Sequence, residues 1–205
     1  TPIKDIMTTT VVTGKEGTTL AEANALFKEH AIEKLPIVDK NNKLVGLITY
    51  RDIRKSEEYP NATKDKEGRL IVGAAIGAGH DAIERAKALV ASGVDVLCVD
   101  TAHGHSKKVL DTVKELRKLY PKLDIVGGNV ATGEAARALI KSGANAIKVG
   151  IGPGSICTTR VVTGIGVPQL SAVLDVYKIC GPLGIPVIAD GGIKYSGDVV
   201  KALVF

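Results

Sequence analysis

The sequence predicts an α/β protein in two parts: a small mixed α+β module, then a parallel sheet whose strands alternate with helices. Three observations carry this. Five short apolar runs, "LIVGAAI", "VDVLCVD", "LDIVGGN", "NAIKVG" and "IPVIADGG", are separated by stretches with helical apolar spacing, the pattern of repeated βα units. Aromatic residues are only 3% of a 205-residue chain that is 45% apolar, so the core is Val, Ile, Leu and Ala, which suits buried parallel strands. A polar stretch from Ser56 to Arg69, "SEEYPNATKDKEGR", is punctuated by Pro60 and Gly68 and reads as a linker. The expected division is therefore residues 1–56, a linker over 57–70, and residues 71–205.

The first part reads strand, helix, strand, hairpin turn, strand, helix. Leu20, Ala23, Leu26 and Phe27 follow helical spacing, and "KLPIVDKNNKLVGLITY" reads as two strands around the turn-formers Asn41 and Asn42. The stretch "EKLPIVDKNNKLVGLITYRDI" resembles a CBS module, a family that works in pairs and often binds adenine nucleotides; one copy is present. By that resemblance Thr49 and Asp52 would hold a nucleotide's ribose and phosphates. The alternative is that Thr49 simply caps a helix starting at Tyr50, with Asp52 in its electropositive first turn.

After the linker, Ala82, Ile83, Ala86, Leu89 and Val90 mark the first helix of the βα series. The echo between "SGVDVLCVD" and "SGANAIKVG" places Gly93 and Gly143 just past helix ends, where a left-handed residue is needed. A doubly wound sheet and a (β/α)8 barrel both produce this rhythm. The strand ends favour the barrel, because the runs finish in Asp100, Asn129, Gly150 and Asp190, where barrel enzymes build their sites. Five units are visible, fewer than the eight of a closed barrel, so the chain reads as an incomplete barrel.

Composition excludes several classes. The formal charge of +5 is spread among acids rather than gathered into a basic stripe with aromatics, which disfavours nucleic acid and leaves small anionic ligands open. No apolar run approaches the roughly 18 residues of a membrane span, and no basic-then-apolar leader opens the chain, so a soluble, unprocessed protein is expected. Cys98, Cys157 and Cys180 lack zinc-site spacing and suit a reducing, cytoplasmic setting.

The stretch from Gly150 to Pro168 is long for a βα connection, and such loops are usually functional. Its glycines match neither GxGxxG nor GxxxxGK[ST]. They supply pliant backbone, while Ser155, Thr158 and Thr159 supply hydroxyls around Cys157, with Arg160 near enough to favour a thiolate. Cys157 is thus the candidate nucleophile; Cys98, in an apolar strand, and Cys180, on a helix ending at Gly181, read as small buried hydrophobes. In "ADGGI", Asp190 can accept from sugar hydroxyls and the glycine N–H groups suit a phosphate, unless Asp190 merely caps a helix after a tight turn. His103 and His105 read as solvent-facing loop residues.

"VGIGPGSICTTRVVTGIGVPQ", with "DTAHG", "GGNVATGEAA" and "VIADGGIKYSGD" in order around it, resembles the inosine-5′-monophosphate (IMP) dehydrogenase family, across nearly the whole chain. The resemblance implies a (β/α)8 barrel with CBS modules inserted after its second strand and helix. It implies NAD-dependent oxidation of IMP to xanthosine monophosphate, through a covalent thioimidate on Cys157, with Thr159 helping to activate water. Asp100, Thr101, Asn129, Gly150, Ile151 and Gly152 would lie on the cofactor side. Ser155, Asp190, Gly191 and Gly192 would hold the substrate's phosphate and ribose. The carbonyls of Gly152, Gly154 and Cys157 would form a potassium site, and a homotetramer is implied. The family continues past the last helix into a further strand, a second phosphate loop and a flap bearing an arginine base. A guanosine monophosphate (GMP) reductase is the nearest rival, and residues 1–56 count against it because reductases commonly lack CBS modules. A silent sensor of adenine or guanine nucleotides and a flavin-dependent barrel oxidase are further rivals.

Overall fold

A computed structural model describes residues 1–66 and 68–204. The chain divides into two compact units, Thr1–Leu70 and Ile71–Phe205.

In the first unit, β1 (Gly14–Lys15), β2 (Lys34–Val38) and β3 (Leu44–Thr49) form a three-stranded sheet in the order β1-β2-β3. β1 runs parallel to β2, and β2 antiparallel to β3. Helices α1 (Leu20–His30) and α2 (Tyr50–Glu58) supply Ala23, Phe27 and Ile53, which bury with Leu35 and Ile37 as the core. Asp39 Oδ1 accepts from the amides of Asn41 and Lys43, each at 2.8 Å, and Asn42 adopts φ 60°, closing the hairpin with the residues the sequence marks for it. Both helices open with a capping box, Thr19 with Glu22 and Thr49 with Asp52. Helix α2 runs on through Glu58, past the expected end of the module at residue 56, and the stretch beyond it has a local antiparallel bridge between Lys64 and Leu70.

The second unit holds β4 (Gly73–Ile76), β5 (Val96–Asp100), β6 (Asp124–Val130), β7 (Ala146–Val149) and β8 (Val187–Ala189). All pair in parallel, in strictly sequential order. A doubly wound sheet needs a point where the order reverses, and this sheet has none. Helices α3 (His80–Ala91), α4 (Lys107–Leu119), α5 (Gly133–Ser142), α7 (Gln169–Cys180) and α8 (Ser196–Leu203) contact one another in the same succession. Side-chain alternation separates the faces. Leu97 and Val99 of β5, and Ile147 and Val149 of β7, are fully buried in a core with Val113 and Leu116 of α4, Leu139 of α5 and Val176 of α7. Cys98, Asp100 and Lys148 occupy the opposite register.

Cys98 is therefore half-buried rather than enclosed, since it does not face the helices, whereas Cys180 is fully buried. Gly93 and Gly143 adopt φ 86° and 107° after α3 and α5, the left-handed positions that the repeated Ser-Gly motif marks. Gly181 differs: it stays right-handed and leads into a 3-10 turn, and Gly184, at φ 64°, makes the reversal.

Candidate active site at the strand ends

The C-terminal ends of β5 to β8 are tied together by polar contacts. Asp100 ends β5, and the main chain after it locks onto β6: Thr101 N and Oγ1 both donate to Gly128 O, at 3.0 and 2.9 Å, and Asn129 N donates to Thr101 O at 2.7 Å. Asn129 Nδ2 then donates to Gly150 O at 2.9 Å and to Asp190 Oδ2 at 2.8 Å. Lys148 Nζ reaches Asp190 Oδ2 at 2.7 Å and Asp100 Oδ1 at 2.9 Å. Asp190 is thus held by side chains of β6 and β7 and does not cap a helix; Asp198 caps α8 instead, accepting from the amides of Lys194 and Tyr195.

The electrostatics follow from these contacts. The hydrogen bonds from Lys148 and then Asn129 hold the Asp190 carboxyl below the usual carboxylate range. Burial works to discharge Lys148, but the two carboxylates outweigh it and its pKa is raised. The Cys98 thiol, on the same face, is pushed up by burial.

The cysteine loop leaves β7 at Gly150, whose φ is 149° and where a Cβ would collide with the carbonyl oxygen of Asp190. Gly152 is left-handed at φ 76° and sits against Arg160 Cγ and the carbonyl of Ile165, so a side chain at either glycine would force the loop apart. Val167 N donates to Ile151 O at 3.0 Å, closing the loop's base. A short helix, α6 (Thr159–Thr163), interrupts the loop; it is too brief to signal in the apolar pattern. Cβ atoms on Gly191 and Gly192, at φ 83° and 75°, would lie within 3.1 Å of Gly154 and Pro153. The "ADGG" turn and the "GPGS" turn therefore pack backbone to backbone.

Cys157 stands beside this junction, half-exposed, its amide donating to Gly154 O at 3.1 Å. Sγ and Thr159 Oγ1 are hydrogen-bonded at 3.3 Å. The Thr159 hydroxyl, and after it the Thr159 amide, stabilises the thiolate and lowers its pKa; Arg160 adds a smaller push. Thr159 rather than Arg160 is thus the main activating neighbour. Ser155 is exposed on the same loop.

The structure brings Asp100, Thr101, Asn129, Gly150, Ile151, Gly152, Asp190, Gly191 and Gly192 to one end of the sheet with the loop of Ser155, Cys157 and Thr159. Thr49 and Asp52 belong to the other unit. There each caps the other: Asp52 Oδ2 accepts from Thr49 N at 2.9 Å, and Thr49 Oγ1 accepts from Asp52 N at 3.3 Å. His103 is exposed, its ring edge-on to that of His105, and no cluster of metal-ligating side chains occurs among the described residues. No described helix is long and apolar enough to cross a membrane.

Two contributors escape the sequence reading. Lys148 is one, although a lone lysine inside an apolar parallel strand is itself a signal. Gln169, 7% exposed at the start of α7, is the other: its Nε2 donates to Val149 O at 2.8 Å and Asp190 O at 3.2 Å, pinning the ends of β7 and β8.

The family model described as IMP dehydrogenase / GMP reductase domain matches residues 12–205. The chain is 56% identical over 203 residues to inosine-5'-monophosphate dehydrogenase of Aquifex aeolicus, covering 98% of this chain and 41% of that protein. It is 60% identical over 204 residues to the enzyme of Halalkalibacterium halodurans, covering 99% and 42%. The crystal structure of GMP reductase from Trypanosoma brucei in complex with guanosine 5'-triphosphate superposes with a TM-score of 0.82 at 45% identity, over 95% of this chain and 46% of that one. That overlap takes in most of the N-terminal unit, so residues 1–56 do not separate dehydrogenase from reductase as the sequence reading expects. The chain spans about two fifths of the length of the curated relatives it matches. It belongs to the IMP dehydrogenase / GMP reductase family.

Proposed function

We propose that the full-length protein carrying this chain oxidises IMP to xanthosine monophosphate with NAD. The carrying observation is Cys157, a half-exposed thiol with a lowered pKa, hydrogen-bonded to Thr159 and seated where the two glycine turns meet. The thiolate attacks C2 of the purine and a C–S bond forms. NAD, when bound, supplies the acceptor for the hydride that C2 gives up. Water then adds at C2 of the resulting thioimidate, sulfur leaves as the thiolate, and a proton is released. Covalent attack divides one difficult substitution into two easier ones, and the Thr159 hydroxyl, already at the sulfur, is placed to orient that water.

Asp190, held ionised, takes the substrate's ribose hydroxyls, while Ser155 and the amides of Gly191 and Gly192 take its phosphate. Asp100, Thr101, Asn129 and the main chain of 150–152 form the cofactor side. The donor chemistry fits: a carboxylate for a diol, and bare amides at left-handed glycines for an anion. The carbonyls of Gly152, Gly154 and Cys157 are neutral oxygens of the kind a potassium ion takes in place of water, though Gly154 O also accepts from Cys157 N. They would steady the loop with an ion bound.

The sequential parallel sheet is read as an arc of a (β/α)8 barrel, and the N-terminal unit as a CBS module. A cleft of about 700 Å³ in that unit is lined by Lys34, Arg51, Arg54 and Lys55 with Thr49 and Tyr50, and by the acids Glu33 and Glu58, the latter paired with Arg54 at 2.8 Å; its excess of cations suits a phosphorylated ligand such as an adenine or guanine nucleotide. A cytoplasmic homotetramer completes the reading.

GMP reductase is the second reading, favoured by the structural likeness to the trypanosomal enzyme. Incubating the full-length protein with IMP and NAD, and separately with GMP and NADPH, decides between them. NADH and xanthosine monophosphate are expected from the first mixture; NADPH consumption with release of ammonia from the second, and silence in the first, would overturn the dehydrogenase reading.

A further inference from the structure

The two carboxylates that this reading assigns to different ligands share one cation. Lys148 is 14% exposed at its side chain, while those of Asp100 and Asp190 are 45% and 47% exposed. The lysine lies beneath them, in contact with both.

Strand register shows how the lysine gets there. Asp100, Gly128, Lys148 and Ile188 are successive partners across β5, β6, β7 and β8. Neighbouring strands lie roughly 4.8 Å apart, so Lys148 must reach over β6 to meet Asp100. The residue it passes is Gly128, where a Cβ would sit 2.7 Å from Lys148 Cβ and 2.7 Å from its carbonyl oxygen. The bare α-carbon clears the way. At the far side, Asn129 and Lys148 both engage Oδ2 of Asp190, which fixes the plane of the carboxylate and keeps Oδ1 for a ligand.

We propose that Lys148 is a positioning residue that couples the two nucleotide subsites, one ammonium orienting both the carboxylate for the substrate ribose and the carboxylate for the cofactor ribose. The inference rests on the dehydrogenase reading for what the carboxylates bind. A charge-assisted bond shared between two acceptors strengthens toward one when the other loses its charge. Neutralising Asp100 therefore draws the ammonium wholly onto Asp190, which pulls charge toward Oδ2 and weakens Oδ1 as an acceptor for the ribose hydroxyls. Acting through space alone, the same change would do the reverse, because removing a negative charge favours an anionic nucleotide.

The test is a double-mutant cycle on IMP affinity, measured by calorimetry in the full-length protein without NAD. Asp100→Asn is expected to weaken IMP binding about fivefold or more, the lower range of measured couplings between sites. In a Lys148→Met background it should weaken binding less than about twofold, and in Lys148→Arg the weakening should return. Lys148→Gln takes the place of Lys148→Met if the latter does not fold by circular dichroism. An equal change in both backgrounds, or tighter binding on Asp100→Asn, overturns the inference and leaves the dehydrogenase reading intact. A wild-type protein that binds no IMP overturns both.

Discussion

A methyl group at Gly128 tests the rung on which the site is built. In Gly128→Ala the new Cβ would stand 2.7 Å from both Cβ and O of Lys148, about 1 Å inside the optimum carbon contact of roughly 3.5–4.0 Å. Neither neighbour can retreat cheaply, because β7 is hydrogen-bonded to β6 on one side and β8 on the other. Overpacking of this kind costs about 1–3 kcal/mol, and contact with the main chain of Lys148 as well as its side chain argues for the upper part of that range. At roughly 2–4 °C per kcal/mol for a unit of this size, the melting midpoint should fall by about 4–12 °C. Circular dichroism of the full-length protein at fixed concentration measures it. Gly73→Ala in β4 is the control: its Cβ would meet Val96 at 3.6 Å, an ordinary contact, so its midpoint should stay or rise slightly. Should Gly128→Ala melt within about 1 °C of Gly73→Ala, the account of Gly128 as the opening through which Lys148 passes is wrong.

Two further outcomes are expected. Thr159→Val removes the hydroxyl that favours the Cys157 thiolate, so the pH of half-maximal alkylation by iodoacetamide, which lies below the ordinary thiol range in the wild type, should rise, and alkylation at pH 7 should slow; Cys98 and Cys180, whose pKa values burial raises, should stay slow in both proteins. An unchanged profile would show that Thr159 does not activate the thiol. Thr49→Ala breaks the capping box of α2, worth about 1 kcal/mol, so amides of its first turn should exchange with solvent about fivefold faster, and unaltered exchange would mean the box contributes nothing.

The βα alternation was legible because each strand is a short apolar run and each helix has a 3.6-residue period, both local properties. Gly93 and Gly143 were legible for the same reason, since a left-handed residue after a helix is a demand made by its immediate neighbours. What no local pattern contains is strand order, which depends on pairings between residues 19 to 40 positions apart. The choice between a doubly wound and a singly wound sheet therefore had to wait for the ladder itself. Helix α6 escaped for the opposite reason, five residues being too short to show a period.

At the site, the residues named from sequence were those with reactive or strand-terminal positions: Cys157, Asp100, Asn129 and Asp190. Lys148 and Gly128, like Gln169, were missed because none of them says alone what it contacts. The lysine breaks an apolar strand without naming its partners, and the glycine in "VGGN" reads as part of an apolar run. Their meaning lies in parity and register together. Lys148 alternates with the buried Ile147 and Val149, so it must point away from the helices, and Gly128 stands beside it on the next strand with no side chain on that face. A strand glycine often marks a close approach, and here what approaches is the lysine. Half-burial of Cys98, two residues before Asp100 on the same strand, belongs to the same fact: the thiol lies on the face that carries Lys148 and Asp100 and stays out of the apolar layer beneath the helices.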